Sequence, residues 1–253
     1  MTSVSNAAVG AFLAGNAAAK ARHGMNEAIA RLSTGVRAMY GGDAGGASAA
    51  IAIRADGKSA MIAARNIEDG ISFLQAGESL LLELAALNTR LRELRVQALN
   101  ADTLSSNDIA AIGSEEDEIL KAGNLIDKAK FNGADLLGDD LAVTYDHDGT
   151  LTTLSSDATI TLADTSVTVI DATTTDIQEA LGEMAAGLSA LKGHQAANYA
   201  LAANFEAAAA RISDTDFARS SANLAKFSIL NQSAMAMVSQ ANQAQAAVLA
   251  VLQ

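Results

Sequence analysis

The 253-residue chain has no cysteine, no proline and no tryptophan, and aromatic residues make up only 4% of it. Without cysteine there is no disulfide framework, no thiolate metal site and no thiol nucleophile. Without proline nothing breaks a long helix, and stiff polyproline linkers are disfavoured. Basic residues are also scarce: 17 Lys and Arg face 29 Asp and Glu, a net charge of −12. That balance lacks the cationic footprint of nucleic-acid or anionic-lipid binding. What is present is apolar, 50% of all residues. With so few aromatics it must be mostly Ala, Leu, Ile and Val. This composition suits thin, closely packed helices better than an enzyme core built around large rings. At roughly 150 residues per domain, the length allows one large domain or two small ones.

Charge is missing from both ends. Nothing before Lys20 or after Lys226 is ionisable in its side chain at neutral pH. Chain ends are normally solvated, so uncharged ends imply burial in lipid or against other protein. The C-terminal stretch carries Asn231, Gln232, Gln240, Asn242, Gln243 and Gln245. So many amides oppose membrane insertion, since a spanning helix needs about 20 predominantly apolar residues. The first 20 residues have neither a basic leader nor a long apolar run, so no cleavable signal peptide is expected. Both ends are expected to be protein-facing helices. Alone they bury too little to offset their ordering entropy, so they are expected to fold on assembly.

Hydrophobic spacing supports this. Phe227, Leu230, Ala234, Met237, Ala241, Ala244, Val248 and Val251 alternate steps of 3 and 4, as do Met25, Ile29, Leu32, Val36 and Met39. Such stripes mark helices packed along one seam, and their occurrence at opposite ends predicts a terminal two-helix coiled coil. Between them, GGDAGG at 41–46 ends the first helix, and a second runs from about Ser48 to Asn66. Asp69-Gly70 is expected to interrupt it before a longer helix to Asn100, with a stripe at Leu80, Leu84, Leu87, Leu91, Leu94 and Ala98. After a loop at 101–108, a third helix is expected at Ser114, ahead of Glu115, Glu116, Asp117 and Glu118, whose charges oppose the helix dipole. Phe131-Asn-Gly133 marks a turn. Residues 139–175 turn rich in Thr, Ser, Asp and Val, with strand-like alternation at 158–162 and 166–170 and a hairpin turn at Asp148-Gly149. Helix resumes near Asp176 and runs to Ile212, where Ser213-Asp-Thr-Asp216 caps the last helix. The expected fold is mainly α: long antiparallel helices forming a terminal coiled coil (1–42 with 214–253) and a helical rod (43–213), with a small β-rich insert at 139–175.

No catalytic constellation is present. His23 and His194 sit in alanine-rich helical surroundings, and His147 lies in the acidic turn Tyr145-Asp-His-Asp-Gly149. Set against a calcium loop with Gly149 at position 6, Thr144 stands at position 1 and Ser155 where a bidentate Glu is required. A solvated hairpin tip is the reading. Phosphate-binding glycine loops, nucleophile elbows and zinc motifs are absent from the sequence. No cofactor, no metal and no enzymatic activity are expected.

Several motifs nevertheless occur in a telling order. Arg31-Leu-Ser-Thr-Gly-Val-Arg37, Asp43-Ala-Gly-Gly46, Asn66-Ile-Glu-Asp-Gly-Ile-Ser72, Leu91-Arg-Glu-Leu-Arg-Val-Gln97 and Phe131-Asn-Gly133 resemble the N-terminal half of bacterial flagellins. Arg211-Ile-Ser-Asp-Thr-Asp-Phe-Ala218, Ile229-Leu-Asn-Gln232 and Ser239-Gln-Ala-Asn-Gln243 resemble the C-terminal half. The resemblance covers roughly 1–133 and 185–253, with departures at Gly42 and Arg95. It implies an exported subunit of the extracellular flagellar filament, used for motility, whose paired termini line an inner tube beneath a shell of rods. The short insert implies that the large outer domains of longer flagellins are missing. The implied partners are further copies of the chain, sister flagellins, the flagellar export apparatus and its chaperone, and the filament cap and hook-junction proteins. The Arg90 and Leu94 pair, with Glu115 or Glu116 on the following helix, also matches the flagellin surface contacted by a Toll-like immune receptor. The competing readings are a hook–filament junction protein, which would not elongate, and a soluble coiled-coil adaptor, which would fold without assembling.

Overall fold

The computed structural model describes residues 2–37, 42–138, 140–154 and 160–252, with the side chains of 2–8, 154, 248, 249, 251 and 252 outside the description. Over these residues the chain forms helices α1 (Thr2–Thr34) and α2 (Ala44–Ala98), a 3-10 turn (Ala101–Thr103) and helix α3 (Ser106–Ile126). Strands β1 (Lys130–Phe131), β2 (Ala134–Asp135), β3 (Leu141–Thr144) and β4 (Leu151–Leu154) follow, then helices α4 (Val167–Ser213) and α5 (Phe217–Leu252). The chain is mainly α, with two small antiparallel hairpins, β1-β2 and β3-β4. It divides into two compact units: Met1–Arg54 with Glu206–Gln253, and Ala55–Phe205.

The terminal unit is an antiparallel helix pair. Gly24 faces the ring of Phe227, and Gly35 faces Phe217, so positions rise along α1 as they fall along α5. Helix α1 stops at Thr34 because Gly35 takes a left-handed φ of 71° and donates its N–H to the Arg31 carbonyl at 2.9 Å, a glycine C-terminal cap. Beyond it the backbones join, Thr215 N donating to Gly35 O at 2.8 Å and Arg37 N to Ser213 O at 2.7 Å. Asp43 accepts from the Gly46 N–H at 2.9 Å and Asp216 from Arg219 N–H at 3.0 Å, capping the starts of α2 and α5. The two ends are therefore helical and partnered with each other. The expected pairing of the two terminal helices lies within a single subunit.

In the second unit α2, α3 and α4 enclose a leucine-rich core containing Ile67, Leu74, Leu81, Leu84, Leu91, Leu94, Ile170, Met184 and Leu191. Three expectations are corrected here. Asp69-Gly70 does not interrupt α2. Gly70 stays helical because it provides room: a Cβ there would lie 2.8 Å from Val143 and 3.3 Å from Leu191. Helix α3 begins at Ser106, not Ser114, because Ser105 and Asp108 form a reciprocal capping box. Residues 167–170 are helix, not strand. Asn88 reaches them, donating to the Ile170 carbonyl at 3.0 Å and the Thr174 hydroxyl at 2.9 Å, so tertiary contact overrides the β-branched propensity. Of the other strand-like run, 158 and 159 lie outside the described residues, and 160–162 form no strand. The two turns are as expected. Asn132 and Gly133 both have positive φ, 50° and 89°, and Gly149 has 83°.

Candidate assembly interface

Each terminal helix buries one stripe within the subunit and leaves apolar side chains exposed around the rest of its circumference. On α1 the inward stripe is Ala11, Ala14, Ala18, Ala21, Met25, Ala28 and Leu32, buried or half-buried in steps of 3 and 4. Its small side chains allow a close approach, closest at Gly24, where a Cβ would meet the Phe227 ring at 2.5 Å. On α5 the inward stripe is Ser220, Leu224, Phe227, Asn231, Ala234, Val238, Ala241 and Gln245. The outward faces carry Val9, Phe12, Leu13 and Ile29 on α1, and Ile229, Leu230, Met235 and Met237 on α5. Exposure reaches 70% at Phe12 and 63% at Met237.

The structure splits the stripes read from the sequence between these faces. Met25, Leu32, Phe227, Ala234 and Ala241 lie on the inward seam, whereas Ile29, Val36, Leu230, Met237 and Ala244 are exposed. Val248 and Val251 belong to α5, but their side chains fall outside the description, and Met39 lies outside the described residues. The difference is one of phase. From Phe227 a step of 3 reaches Leu230 and a step of 4 reaches Asn231. Apolarity favours the first, but the inward seam takes the second, and likewise Val238 and Gln245. The cost shows at Asn231, whose Oδ1 is buried without a hydrogen-bond partner. Sequence reasoning missed Asn231 and Gln245 because a polar side chain at a seam gives no hydrophobic signal.

Charge separates the two units sharply. The terminal unit holds eight basic and five acidic side chains, a net +3, whereas residues 55–205 hold nine and 24, a net −15.

Three residues of the second unit resemble an immune-receptor contact, and the structure brings two of them together. Arg90 donates to Glu115 Oε1 through Nε at 3.0 Å and Nη2 at 2.7 Å, and to Glu93 at 3.1 Å. These hydrogen bonds hold the Arg90 pKa above its ordinary value. Leu94 lies in the core, 2% exposed, so on this surface only Arg90 and Glu115 are open to contact. Glu116, beside them in sequence, turns inward. Burial pushes its carboxyl pKa up against the opposing pull of Arg95, and its Oε1 has no partner. At the β3-β4 tip, His147 Nδ1 lies 2.5 Å from Asp146, and Nε2 lies 3.6 Å from Asp148. The Asp146 hydrogen bond raises the His147 pKa. The imidazole thus bridges the carboxylates that a cation would otherwise need. His147 also packs 5.7 Å from the Phe205 ring, and Tyr145 4.7 Å from His194, fastening the hairpin to α4.

Comparison with known proteins gives a consistent result along the chain. The family description "Bacterial flagellin N-terminal helical region" matches residues 6–141, and "Bacterial flagellin C-terminal helical region" matches 167–252. The chain is 32% identical to a flagellin of Halalkalibacterium halodurans over 89% of its own length and 91% of that protein's. It is 28% identical to flagellin FlaB2 of Treponema pallidum over 88% and 91%, and 29% identical to the flagellin of Bacillus subtilis over 84% and 88%.

Proposed function

This chain belongs to the bacterial flagellin family and is a structural subunit of the extracellular flagellar filament, and from that premise we propose where its subunits touch. The outward faces of α1 and α5 form the main contact between copies. One observation carries the reading: helices already satisfied on their inward seam still present Phe12, Leu13, Leu230 and Met237 to solvent, in stretches without a single charge. Monomeric proteins keep such patches small, and a contact between different surfaces of identical copies propagates as a helical polymer. The stretches 1–42 and 214–253 form the inner coiled coil, and 43–213 forms the outer-shell rod. Met25, Leu32, Phe227, Ala234 and Ala241 hold the hairpin together. Ile29, Val36, Leu230, Met237 and Ala244 face neighbouring copies.

On family grounds the further partners are sister flagellins, the export apparatus and its chaperone, the filament cap and the hook-junction proteins. A Toll-like receptor would meet Arg90 and Glu115. Their ion pair, however, already has a role within the subunit, joining α2 to α3.

The test is a charge placed on the outward face. A charge left buried without a partner costs about 3–5 kcal/mol, so Met237→Asp is expected to abolish polymerisation measured by sedimentation and electron microscopy. The melting of the 55–205 unit should stay unchanged. Filaments of normal length from Met237→Asp refute the assignment.

A further inference from the structure

The exposed methionines of α5 have a chemistry that the assembly role does not use. Met235 and Met237 are 57% and 63% exposed in the free subunit, two residues apart on the uncharged helix. Met184, in contrast, is 1% exposed inside the 55–205 core, and Met61 is 43% exposed on that unit's surface. A thioether at such exposure is open to two-electron oxidants. We infer that Met235 and Met237 form an oxidation site that decides whether a subunit can join the polymer.

The reaction is balanced with a peroxide as the named oxidant. The Met sulfur attacks one peroxide oxygen, the O–O bond breaks, an S=O bond forms and water leaves. Sulfur is oxidised by two electrons and the peroxide is reduced by two. The product exchanges a flexible apolar side chain for a polar, chiral one. In free solution water solvates the sulfoxide, so the subunit itself is unaffected. In a subunit contact that water must be stripped away, and burying a polar group without a compensating hydrogen bond is unfavourable. Met235 and Met237 point about 200° apart around α5, so both sulfurs are shielded in the polymer by neighbours on both flanks of the helix. Free subunits are therefore vulnerable and incorporated ones protected.

This inference rests on the proposed outward contact of α5, and the experiment separates the two. Full-length subunits and preformed filaments are treated with hydrogen peroxide and quenched, and sulfoxide is located by peptide mass mapping. The expected result is sulfoxide at Met235, Met237 and Met61 in free subunits, protection of Met235 and Met237 but not Met61 in filaments, and none at Met184. Oxidised subunits are expected to lose polymerisation, and methionine sulfoxide reductase to restore it. The Met235→Leu/Met237→Leu chain, compared only with its own untreated sample, should polymerise equally with and without peroxide, even though Met61 is still oxidised. Subunits fully oxidised at both positions that still polymerise at the untreated rate overturn the inference, as does loss of assembly that the reductase cannot reverse. If oxidised subunits polymerise while Met237→Asp does not, oxidation alone is refuted. If Met237→Asp polymerises too, the contact itself is.

Discussion

Single residues show where the subunit gives up stability. Glu116 is buried with one carboxylate oxygen unpartnered, and burial raises its pKa. Below the unfolded carboxylate value of about 4.3 the group is protonated in both states and imposes no penalty. As pH rises through the raised folded value, the folded state must either hold a proton or bury a charge, and stability falls. Glu116→Gln is therefore expected to raise the Tm of the 55–205 unit at pH 7.5 and to leave it unchanged near pH 4, as read by calorimetry. Gly24 is the reverse case, a position where an added side chain would have to displace the Phe227 ring. With the Phe227 ring 2.5 Å from where a Cβ would sit, Gly24→Val is expected to cost the helix pair about 1–3 kcal/mol through overpacking. Denaturation followed by circular dichroism would measure it.

At the scale of elements, what is legible depends on whether a signal is local. The long helices follow from apolar spacing and the absence of proline, and the two hairpin turns from Asn132-Gly133 and Asp148-Gly149. The start of α3 was also written locally, but in the capping pair Ser105 and Asp108 rather than in the acidic run at 115–118. Ser105 accepts from Asp108 N–H at 3.3 Å, and Asp108 accepts from Ser105 N–H at 3.0 Å. Ser105→Ala is expected to cost about 1 kcal/mol, seen as loss of amide protection in the first turn of α3 by hydrogen exchange. Two features were not legible. Residues 167–170 alternate as a strand does, yet they are helical, with Ile170 buried in the core and its carbonyl accepting from Asn88, some 80 positions earlier. The inner seam of α5 runs through Asn231 and Gln245, so only the partner helix reveals its phase. The candidate interface shares this limit: the sequence identifies an uncharged helix, but the fold decides which apolar side chains remain exposed.

Over the whole molecule the deciding quantity is charge, +3 on the terminal unit and −15 on residues 55–205. A polymer gathers many such acidic units, and their mutual repulsion opposes growth. Screening lengths fall from about 30 Å at 0.01 M salt to about 10 Å at 0.1 M. Polymerisation is therefore expected to be slower at 10 mM than at 150 mM sodium chloride, by light scattering on seeded protein. The opposite trend would mean that attraction between the units outweighs repulsion among the acidic ones.

The pairing of Gly24 with Phe227 joins residues 203 positions apart. A ribosome making this chain completes α1 long before its mate exists, so the hairpin cannot close until the residues around Phe227 have been made. Closing so long a loop is entropically costly and slow. The sticky first helix therefore waits, and the order of synthesis sets the earliest moment at which a competent building block can appear.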